Sequence, residues 1–213
     1  MRLGNRRALV TGAASGIGAA IARAYAREGA RVCVADLDGA GAARMAAELG
    51  DGALGIRMDV ASEEEVERGV AEAAYGLGGI DILVSNAGVQ HLDTIADLSF
   101  ENWRRVLAVH LDGGFLTARA CLRRMIAQGS GGAILLMGSV HSKEASVRKG
   151  PYVVAKHGSS DLLECWRRKA RRTACAPTRF ARASCAPASS IARSPGSRRR
   201  WGCPRRRWCE KSC

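Results

Sequence analysis

Short apolar runs alternate with longer amphipathic segments along the first 158 residues of the chain. The runs have the length and composition of buried strands, and they span residues 6–10, 31–36, 53–60, 80–84 and 132–137. The segments between them repeat apolar residues at helical spacing, over residues 16–28, 39–49, 62–77 and 100–128. A further helix is predicted from Pro151, because proline favours the first turn of a helix. Alternating strands and helices predict a parallel sheet with helices on both faces.

This pattern stops abruptly after Gly158. Residues 159–213 contain arginine triplets, isolated cysteines and repeated Ala-Pro pairs, with no sustained strand or helix period. The formal net charge of +13 also arises there, since residues 1–158 carry 18 Lys and Arg against 17 Asp and Glu, whereas residues 159–213 carry 15 against 3. One interpretation is a disordered basic tail, which would suit nucleic acid.

The genetic code offers a second interpretation of the same segment. If each codon of residues 173–187 starts with the last base of the codon before it, one permitted translation of TACAPTRFARASCAP is HGVRANAICPGFVRT. Residues 189–195 can likewise read LVDRQIP, and residues 208–213 can read VVREVM. These translations have globular composition, and their Pro-Gly pair is a turn signal. We therefore interpret residues 159–213 as an out-of-frame segment, with the change of frame close to Gly158.

Composition and cysteine content narrow the class of protein. The chain is 47% hydrophobic and 25% charged, which is ordinary for one globular domain. No segment has the features of a secretory leader or the length of a membrane span, so we expect a cytoplasmic protein. Only Cys33 and Cys121 precede residue 159, which fits a reducing compartment. The six later cysteines lack the paired spacing of zinc ligands, and no metal is expected.

A glycine-rich turn between the first strand and the first helix is the first candidate for chemistry. The turn, Thr11-Gly12-Ala13-Ala14-Ser15-Gly16-Ile17-Gly18, would bring backbone N–H groups close to a pyrophosphate, although a plain connection would also explain it. Asp36 ends the second strand about twenty residues further on, where its carboxylate can accept ribose hydroxyls and would repel a 2′-phosphate. The sequence therefore predicts NAD rather than NADP. Asp38 is as well explained as a helix cap.

Tyr152 and Lys156 are the candidate catalytic pair. They lie four residues apart on the last predicted helix, so their side chains project from one face. A phenol is a poor base at neutral pH, and an adjacent ammonium together with a cationic nicotinamide ring would favour the phenolate. Ser139, at the end of the fifth strand, is placed to hold a substrate oxygen. A Tyr-Lys pair at this spacing is more often a surface pair, but its combination with Ser139 and the nucleotide turn favours a site.

In this order and at this spacing, the motifs resemble those of the short-chain dehydrogenase/reductases, over the whole chain up to Gly158. They are TGAASGIG, Asp36, Asp59-Val60, Asn86-Ala87-Gly88, Ser139 and Tyr152-Val-Val-Ala-Lys156. The resemblance implies that Tyr152 is the general acid/base, that Ser139 orients the substrate oxygen, and that Lys156 binds the nicotinamide ribose and tunes Tyr152. It implies a cofactor site formed by Gly12, Ser15, Gly16, Ile17, Gly18, Asp36, Asp59, Val60, Asn86, Ala87, Gly88, Tyr152 and Lys156.

One position departs from the family pattern. Many members carry a catalytic asparagine on the long helix, where this chain has His110 in the sequence VHLDGGF. We include His110 among the candidate catalytic residues. It would either place a hydrogen-bond donor in the site or interrupt the proton relay.

Three further residues resemble the substrate site of the 3-hydroxybutyrate dehydrogenases. In that subfamily a Gln after the Asn-Ala-Gly motif, a His two residues after the catalytic Ser and a Lys three before the catalytic Tyr hold the substrate carboxylate. Gln90, His141 and Lys149 match these positions, and with Ser139 and Tyr152 they form the expected substrate site. A solvated loop residue is an equally good explanation of Lys149. The re-framed LVDRQIP adds a Gln where the subfamily has another contact.

Together these observations predict a Rossmann-like, doubly wound parallel sheet with strand order 3-2-1-4-5, truncated after the fifth strand and the start of the following helix. Residues 1–158 would be an incomplete catalytic domain with an exposed fifth strand, and residues 159–213 a disordered tail.

The expected activity is NAD-dependent oxidation of a secondary alcohol, most favourably 3-hydroxybutyrate to acetoacetate, with little activity in this truncated form. No membrane or nucleic-acid partner is expected, and family members commonly form homotetramers. Two alternatives stay open: another reductase of the same fold, acting on oxoacyl or sugar substrates, and a non-enzymatic nucleotide-binding protein whose basic tail binds nucleic acid.

Overall fold

A computed structural model describes residues 1–172 and 178–184 of the chain. Its strands are β1 (Arg7–Thr11), β2 (Arg31–Asp36), β3 (Leu54–Arg57), β4 (Ile82–Ser85), β5 (Gly132–Gly138) and β6 (Thr178–Ser184). Its helices are α1 (Gly16–Arg27), α2 (Gly39–Leu49), α3 (Glu63–Leu77), α4 (Phe100–Leu107), α5 (Gly113–Gln128) and α6 (Gly150–Arg172).

The strands form one parallel sheet in the order β3-β2-β1-β4-β5-β6. The predicted doubly wound α/β fold and the order of its first five strands are confirmed. Strand β1 is central: its neighbours are β2, which the chain reaches next, and β4, to which it returns later. At such a reversal of strand order, the carboxyl ends of the strands leave a crevice for a ligand.

Beyond the five predicted strands, the structure describes a longer last helix and a sixth strand. Helix α6 continues through Gly158 to Arg172, and β6 then pairs with the whole length of β5. The helix continues because residues 161–172 are rich in Leu, Glu, Lys, Arg and Ala, which favour helices. The outer edge of β5 offers backbone groups that a following segment can pair with. Residues 159–172 and 178–184 of the predicted tail thus lie in a helix and a strand, while 173–177 and 185–213 lie outside the described residues. The division of the chain at residue 158 stays a prediction.

The apolar core lies on both faces of the sheet, because alternate strand residues point to opposite sides. In β1, Leu9 packs with the side chains of α3 and α5 on one face. Its neighbours Ala8 and Val10 pack with α1 and α2 on the other face. Leu163 of α6, beyond the predicted boundary at residue 158, also joins the first of these clusters. The printed sequence after Gly158 thus contributes to the core.

A π-helical turn, Ala108–Asp112, interrupts the long helix predicted over residues 100–128. It separates α4 from α5 and carries His110, whose ring is buried. Such turns insert one extra residue into a helix and often occur at functional sites. Among the described residues, no helix is long and apolar enough to span a membrane.

Candidate active site

The glycine-rich turn after β1 packs closely against the segment that follows β4. Gly12 has a φ of 63°, and a Cβ at this position would lie 2.7 Å from the Cα of Ala87. A Cβ on Gly18 would overlap the carbonyl oxygen of Gly12. These two positions therefore require glycine, and the close packing keeps the backbone of the turn free of side chains where a pyrophosphate would approach.

Asn86 and Thr11 hold this turn in place through hydrogen bonds. The Asn86 Nδ2 group donates to the carbonyl oxygens of Thr11 and Gly12, each at 3.0 Å. In return, Thr11 Oγ1 accepts the backbone N–H groups of Asn86 and Ala87, at 3.0 and 3.1 Å. The sequence analysis missed this role of Thr11. Its position as the last residue of a buried strand, directly before the glycines, was the available signal.

Asp36 and Asp38 have separate roles at the end of β2. The Asp36 carboxylate accepts the backbone N–H of Ala14 at 2.9 Å and that of Asp38 at 3.0 Å, which fixes its orientation beside the turn. Asp38 instead accepts the N–H of Gly41 at 2.9 Å and caps α2. Asp36 is therefore the carboxylate that faces the groove.

An open groove of about 600 Å³ runs along the carboxyl ends of β1, β2 and β4. Its lining includes all the predicted nucleotide contacts outside α6 except Gly18, namely Gly12, Ser15, Gly16, Ile17, Asp36, Asp59, Val60, Asn86, Ala87 and Gly88. Gly18 packs beneath the turn instead. The bare backbone of the turn and the acceptor at Asp36 fit a dinucleotide.

A second cavity, of about 360 Å³, adjoins this groove. The two share Ile17, Asn86, Gly88 and Val89, so they form one continuous crevice. Residues that line the second cavity include Gln90, His110, Ser139, Tyr152 and Lys156. All four candidate catalytic residues, although they are distributed from residue 110 to 156, thus meet next to the nucleotide groove.

Lys156 lies buried in this cavity beside Tyr152. Its Nζ donates to the carbonyl oxygen of Met137 at 2.6 Å and lies 5.6 Å from the centroid of the Tyr152 ring. Burial lowers the pKa of Lys156 to about 8. The amine is therefore still mostly protonated at neutral pH, and an ammonium group adjoins the phenol. The carbonyl of Met137, which orients the amine, was not predicted.

Ser139 follows β5 and lines the cavity, but its hydroxyl also has a local role. Ser139 Oγ accepts the backbone N–H of His141 at 3.2 Å, and Ser142 Oγ accepts the N–H of Ser139 at 3.2 Å. These reciprocal bonds cap a short 3₁₀ turn, Val140–Ser142. The serine is thereby fixed, and its O–H hydrogen is still able to donate.

His110 projects from the π-helical turn into the same cavity. Its Nε2 lies 2.7 Å from the carbonyl oxygen of Val89 and 3.1 Å from the backbone nitrogen of Val89, so it donates to the carbonyl in one tautomer and accepts the N–H in the other. In both tautomers the Val89 backbone holds the ring. Nδ1 is buried without a hydrogen-bond partner among the described residues. The ring also packs edge-to-face on Tyr152, with centroids 5.1 Å apart.

The pKa of His110 is lowered to about 4, by burial first and by the nearby Lys156 charge second. The ring is therefore neutral at physiological pH. The imidazole therefore adds no positive charge to the cavity that it lines.

His141 and Lys149 form a pair of basic side chains next to Tyr152, and neither belongs to the lining of the cavity. Lys149 Nζ lies 3.4 Å from His141 Nε2, and the carbonyl oxygen of Glu144 lies 3.2 Å from His141 Nδ1. The His141 ring also packs edge-to-face on Tyr152, with centroids 5.9 Å apart. Gln90 lines the cavity itself. The structure thus brings the three predicted substrate residues to the Tyr152 side of the crevice.

Comparison with known proteins gives the family of this chain. The family model described as short chain dehydrogenase matches residues 6–181, well beyond the boundary at Gly158. A solved structure, a short-chain type dehydrogenase/reductase from Mycobacterium marinum, superposes with a TM-score of 0.76 at 33% identity, covering 80% of this chain and 69% of that one.

Two curated relatives differ in the substrates that their names give. The sorbitol dehydrogenase of Cereibacter sphaeroides is 41% identical over 77% of this chain, and the D-beta-hydroxybutyrate dehydrogenase of Cupriavidus necator is 40% identical over 73%. The matched part spans 64% and 61% of these relatives, which is less than two thirds of their length. Sequence motifs, fold and site agree: the chain belongs to the short-chain dehydrogenase family.

Proposed function

We propose that this chain derives from an NAD-dependent dehydrogenase that oxidises the secondary alcohol of a small hydroxy acid, with 3-hydroxybutyrate as the favoured substrate and acetoacetate as product. The observation that carries the proposal is the meeting of Tyr152, Lys156 and Ser139 in one cavity that opens into the groove beside Asp36. A base, a charge that favours its ionised form, and a hydroxyl that holds the substrate oxygen are the groups such an oxidation needs.

In the proposed mechanism, the Tyr152 oxygen accepts the proton of the substrate hydroxyl while Ser139 donates a hydrogen bond to the same substrate oxygen. Lys156, held by Met137, keeps a positive charge next to the phenol, and it would hold the nicotinamide ribose of a bound cofactor. When bound, NAD supplies the acceptor for the hydride that leaves the alcohol carbon. The residues of the chain orient the alcohol and remove its proton.

His110 is proposed as a fourth member of the site. Its ring lines the cavity next to Tyr152 and lies close enough to Lys156 for the ammonium charge to lower the pKa of the imidazole. The neutral ring thus lets Lys156 remain the positive charge beside the phenol.

Asp36 supports NAD over NADP. Its carboxylate is held by two backbone N–H groups at the edge of the groove, so it is fixed where it would meet the adenosine ribose of a bound cofactor. A ribose with free hydroxyls can donate to it, whereas a 2′-phosphate would meet a fixed negative charge.

The carboxylate preference rests on Gln90, His141 and Lys149. A substrate carboxylate between the Lys149 ammonium and the His141 ring would be held by charge-assisted hydrogen bonds, and this would aim the hydroxyl carbon at Tyr152. The relative named sorbitol dehydrogenase makes a neutral polyol the second candidate substrate. A polyol gains nothing from this positive charge.

We propose further that residues 159–213 are out of frame, and that the chain as printed has little activity. The permitted re-framed sequences HGVRANAICPGFVRT and LVDRQIP have globular composition, whereas the printed residues 185–213 are rich in Arg, Ser, Cys and Pro. In the family, the segment after the sixth strand covers the substrate.

The test compares the printed chain with a frame-restored chain, each assayed with NAD and either 3-hydroxybutyrate or sorbitol. We expect turnover of the hydroxy acid by the restored chain alone. In that chain, replacing both His141 and Lys149 with alanine should abolish the preference for the acid, while Lys143→Ala, which removes an exposed charge from the same loop, should not. Equal activity of the two chains refutes the frame proposal, and a preference for sorbitol refutes the hydroxy acid.

A further inference from the structure

The backbone at Arg148 has a conformation that an arginine rarely adopts. Among the described non-glycine residues only Asn5 and Arg148 have a positive φ, 61° and 65° respectively. Asparagine tolerates this left-handed region, whereas arginine has no local side-chain interaction that compensates for the strain. Arg148 is exposed, and its guanidinium makes no ion pair or hydrogen bond among the described residues. The side chain therefore does not explain the strain.

The strain belongs to a tight turn directly before α6. The backbone N–H of Lys149 points to the carbonyl oxygen of Ser146, at 3.4 Å, which closes a four-residue turn with Arg148 at its third position. A turn with a positive φ at the third position alone is of type II, and this position favours glycine. Lys149 follows at once, and its carbonyl oxygen accepts the N–H of Val153 in the first turn of α6.

A second contact fastens this turn to the opposite wall of the crevice. The carbonyl oxygen of Arg148 accepts the backbone N–H of Asp93 at 3.0 Å. Asp93 lies in the segment after β4, three residues beyond Gln90, and its carboxylate is 3.5 Å from His91 Nε2. The left-handed turn thus joins the loop that carries Lys149 to the loop that carries Gln90.

We infer that Arg148 is a positioning residue for substrate specificity: its left-handed backbone directs the Lys149 ammonium to His141 and so creates the site for a small carboxylate. Backbone strain that the surroundings maintain is typical of functional sites. Here it is maintained by the bond to Asp93 and by the start of α6. The inference rests on the proposed carboxylate site and names the residue that shapes it.

The test uses the full chain with ¹⁵N-labelled histidine, and it follows the His141 ring signal by NMR, assigned with His141→Ala. Without ligand, this signal reports the contact with Lys149. During a titration with acetoacetate it gives a dissociation constant, so neither readout needs turnover.

The variants at position 148 form a series of decreasing tolerance for positive φ: Gly, Asn, Gln and Val. The dissociation constant for acetoacetate should rise in this order, with Gly about threefold tighter than Arg and Val on the order of tenfold weaker. Arg148→Gln removes the charge and keeps the strain, so it should match the native chain. If the Val variant does not fold, the order of the dissociation constants of the Gly, Asn and Gln variants still tests the inference.

Asn5 provides the matched control, because it has the same backbone conformation far from the site. Asn5→Val should lower the melting temperature and leave the His141 signal and the dissociation constant unchanged. A Gln variant as weak as Val would show that charge matters and not conformation, and it would overturn the inference. An unliganded His141 signal that is the same in all variants would also overturn it. If acetoacetate binds equally well to all of these variants and to Lys149→Ala, the proposed carboxylate site itself is refuted.

Discussion

The two halves of the crevice differ in how far the protein satisfies its own polar groups. In the nucleotide half, the Asp36 carboxylate and the Asn86 amide are each held by two hydrogen bonds within the protein. In the catalytic half, the buried Lys156 amine has one hydrogen bond to protein, and His110 Nδ1 has none among the described residues. The nucleotide half is thus a surface fixed by its own hydrogen bonds, whereas the catalytic half contains polar atoms that can still form hydrogen bonds.

The difference shows where each half obtains its specificity. A fixed nucleotide surface selects its ligand by shape and charge and loses little entropy on binding. Unsatisfied polar groups in a buried cavity cost stability in the free protein, and they become useful when substrate and cofactor complete their bonds. Binding strength should therefore respond to changes in the first half, and turnover and pH dependence to changes in the second.

The largest effect is expected for Tyr152→Phe in a frame-restored chain. Without the phenolic oxygen the substrate proton has no acceptor, so the turnover of 3-hydroxybutyrate should fall by about 10²- to 10⁴-fold. The affinity for NADH, measured by fluorescence titration, should stay within about twofold of the parent, because Tyr152 lies outside the nucleotide groove. Full turnover by this variant would remove Tyr152 from the mechanism.

A second effect is expected in the pH dependence of stability. The pKa of Lys156 is lowered from 10.5 to about 8 by burial, so the unfolded chain binds more protons than the folded one between these two pH values. The free energy of unfolding should therefore rise with pH between about 8 and 10.5. Below about 8 the lysine is charged in both states, and the folded protein is destabilised by the full cost of burying that charge.

Lys156→Met should remove this contribution and should raise the free energy of unfolding at pH 7 by about 1–2 kcal/mol, less than the full pKa shift implies because the Met137 carbonyl loses its donor. Urea titrations of both chains at the two ends of that pH range provide the measurement. A parent and a variant with parallel pH profiles would contradict the proposed burial cost.

The smallest effect is expected for Asp36→Asn. The amide oxygen can still accept from Ala14 or Asp38, so the turn should persist while the negative charge disappears. The ratio of NADP to NAD affinity should rise by about tenfold. Asp38→Asn is the control, since Asn also caps helices, and it should leave this ratio unchanged. If both substitutions shift the ratio equally, Asp36 is not the discriminating carboxylate.

The sequence was most informative where chemistry depends on local patterns. Strand and helix periods predicted a parallel α/β sheet, the resemblance to the short-chain dehydrogenases implied the order of five strands, and the spacing of Tyr152 and Lys156 predicted a shared face. The sixth strand was missed, because edge pairing depends on what β5 leaves open and not on the composition of the added segment. The contacts made by Thr11, Met137 and Val89 were missed as well, since each joins residues that are distant in the chain.

The π-helical turn at Ala108–Asp112 makes the placement of His110 dependent on chain length as well as on residue type. An α-helix advances about 100° per residue, so removing one residue from this turn would restore regular geometry and rotate position 110 away from Tyr152. The helices on either side would keep their faces, because a π-helical turn accommodates its extra residue locally. A single-codon deletion here would thus disconnect the imidazole from the cavity while every other active-site side chain stayed in the sequence.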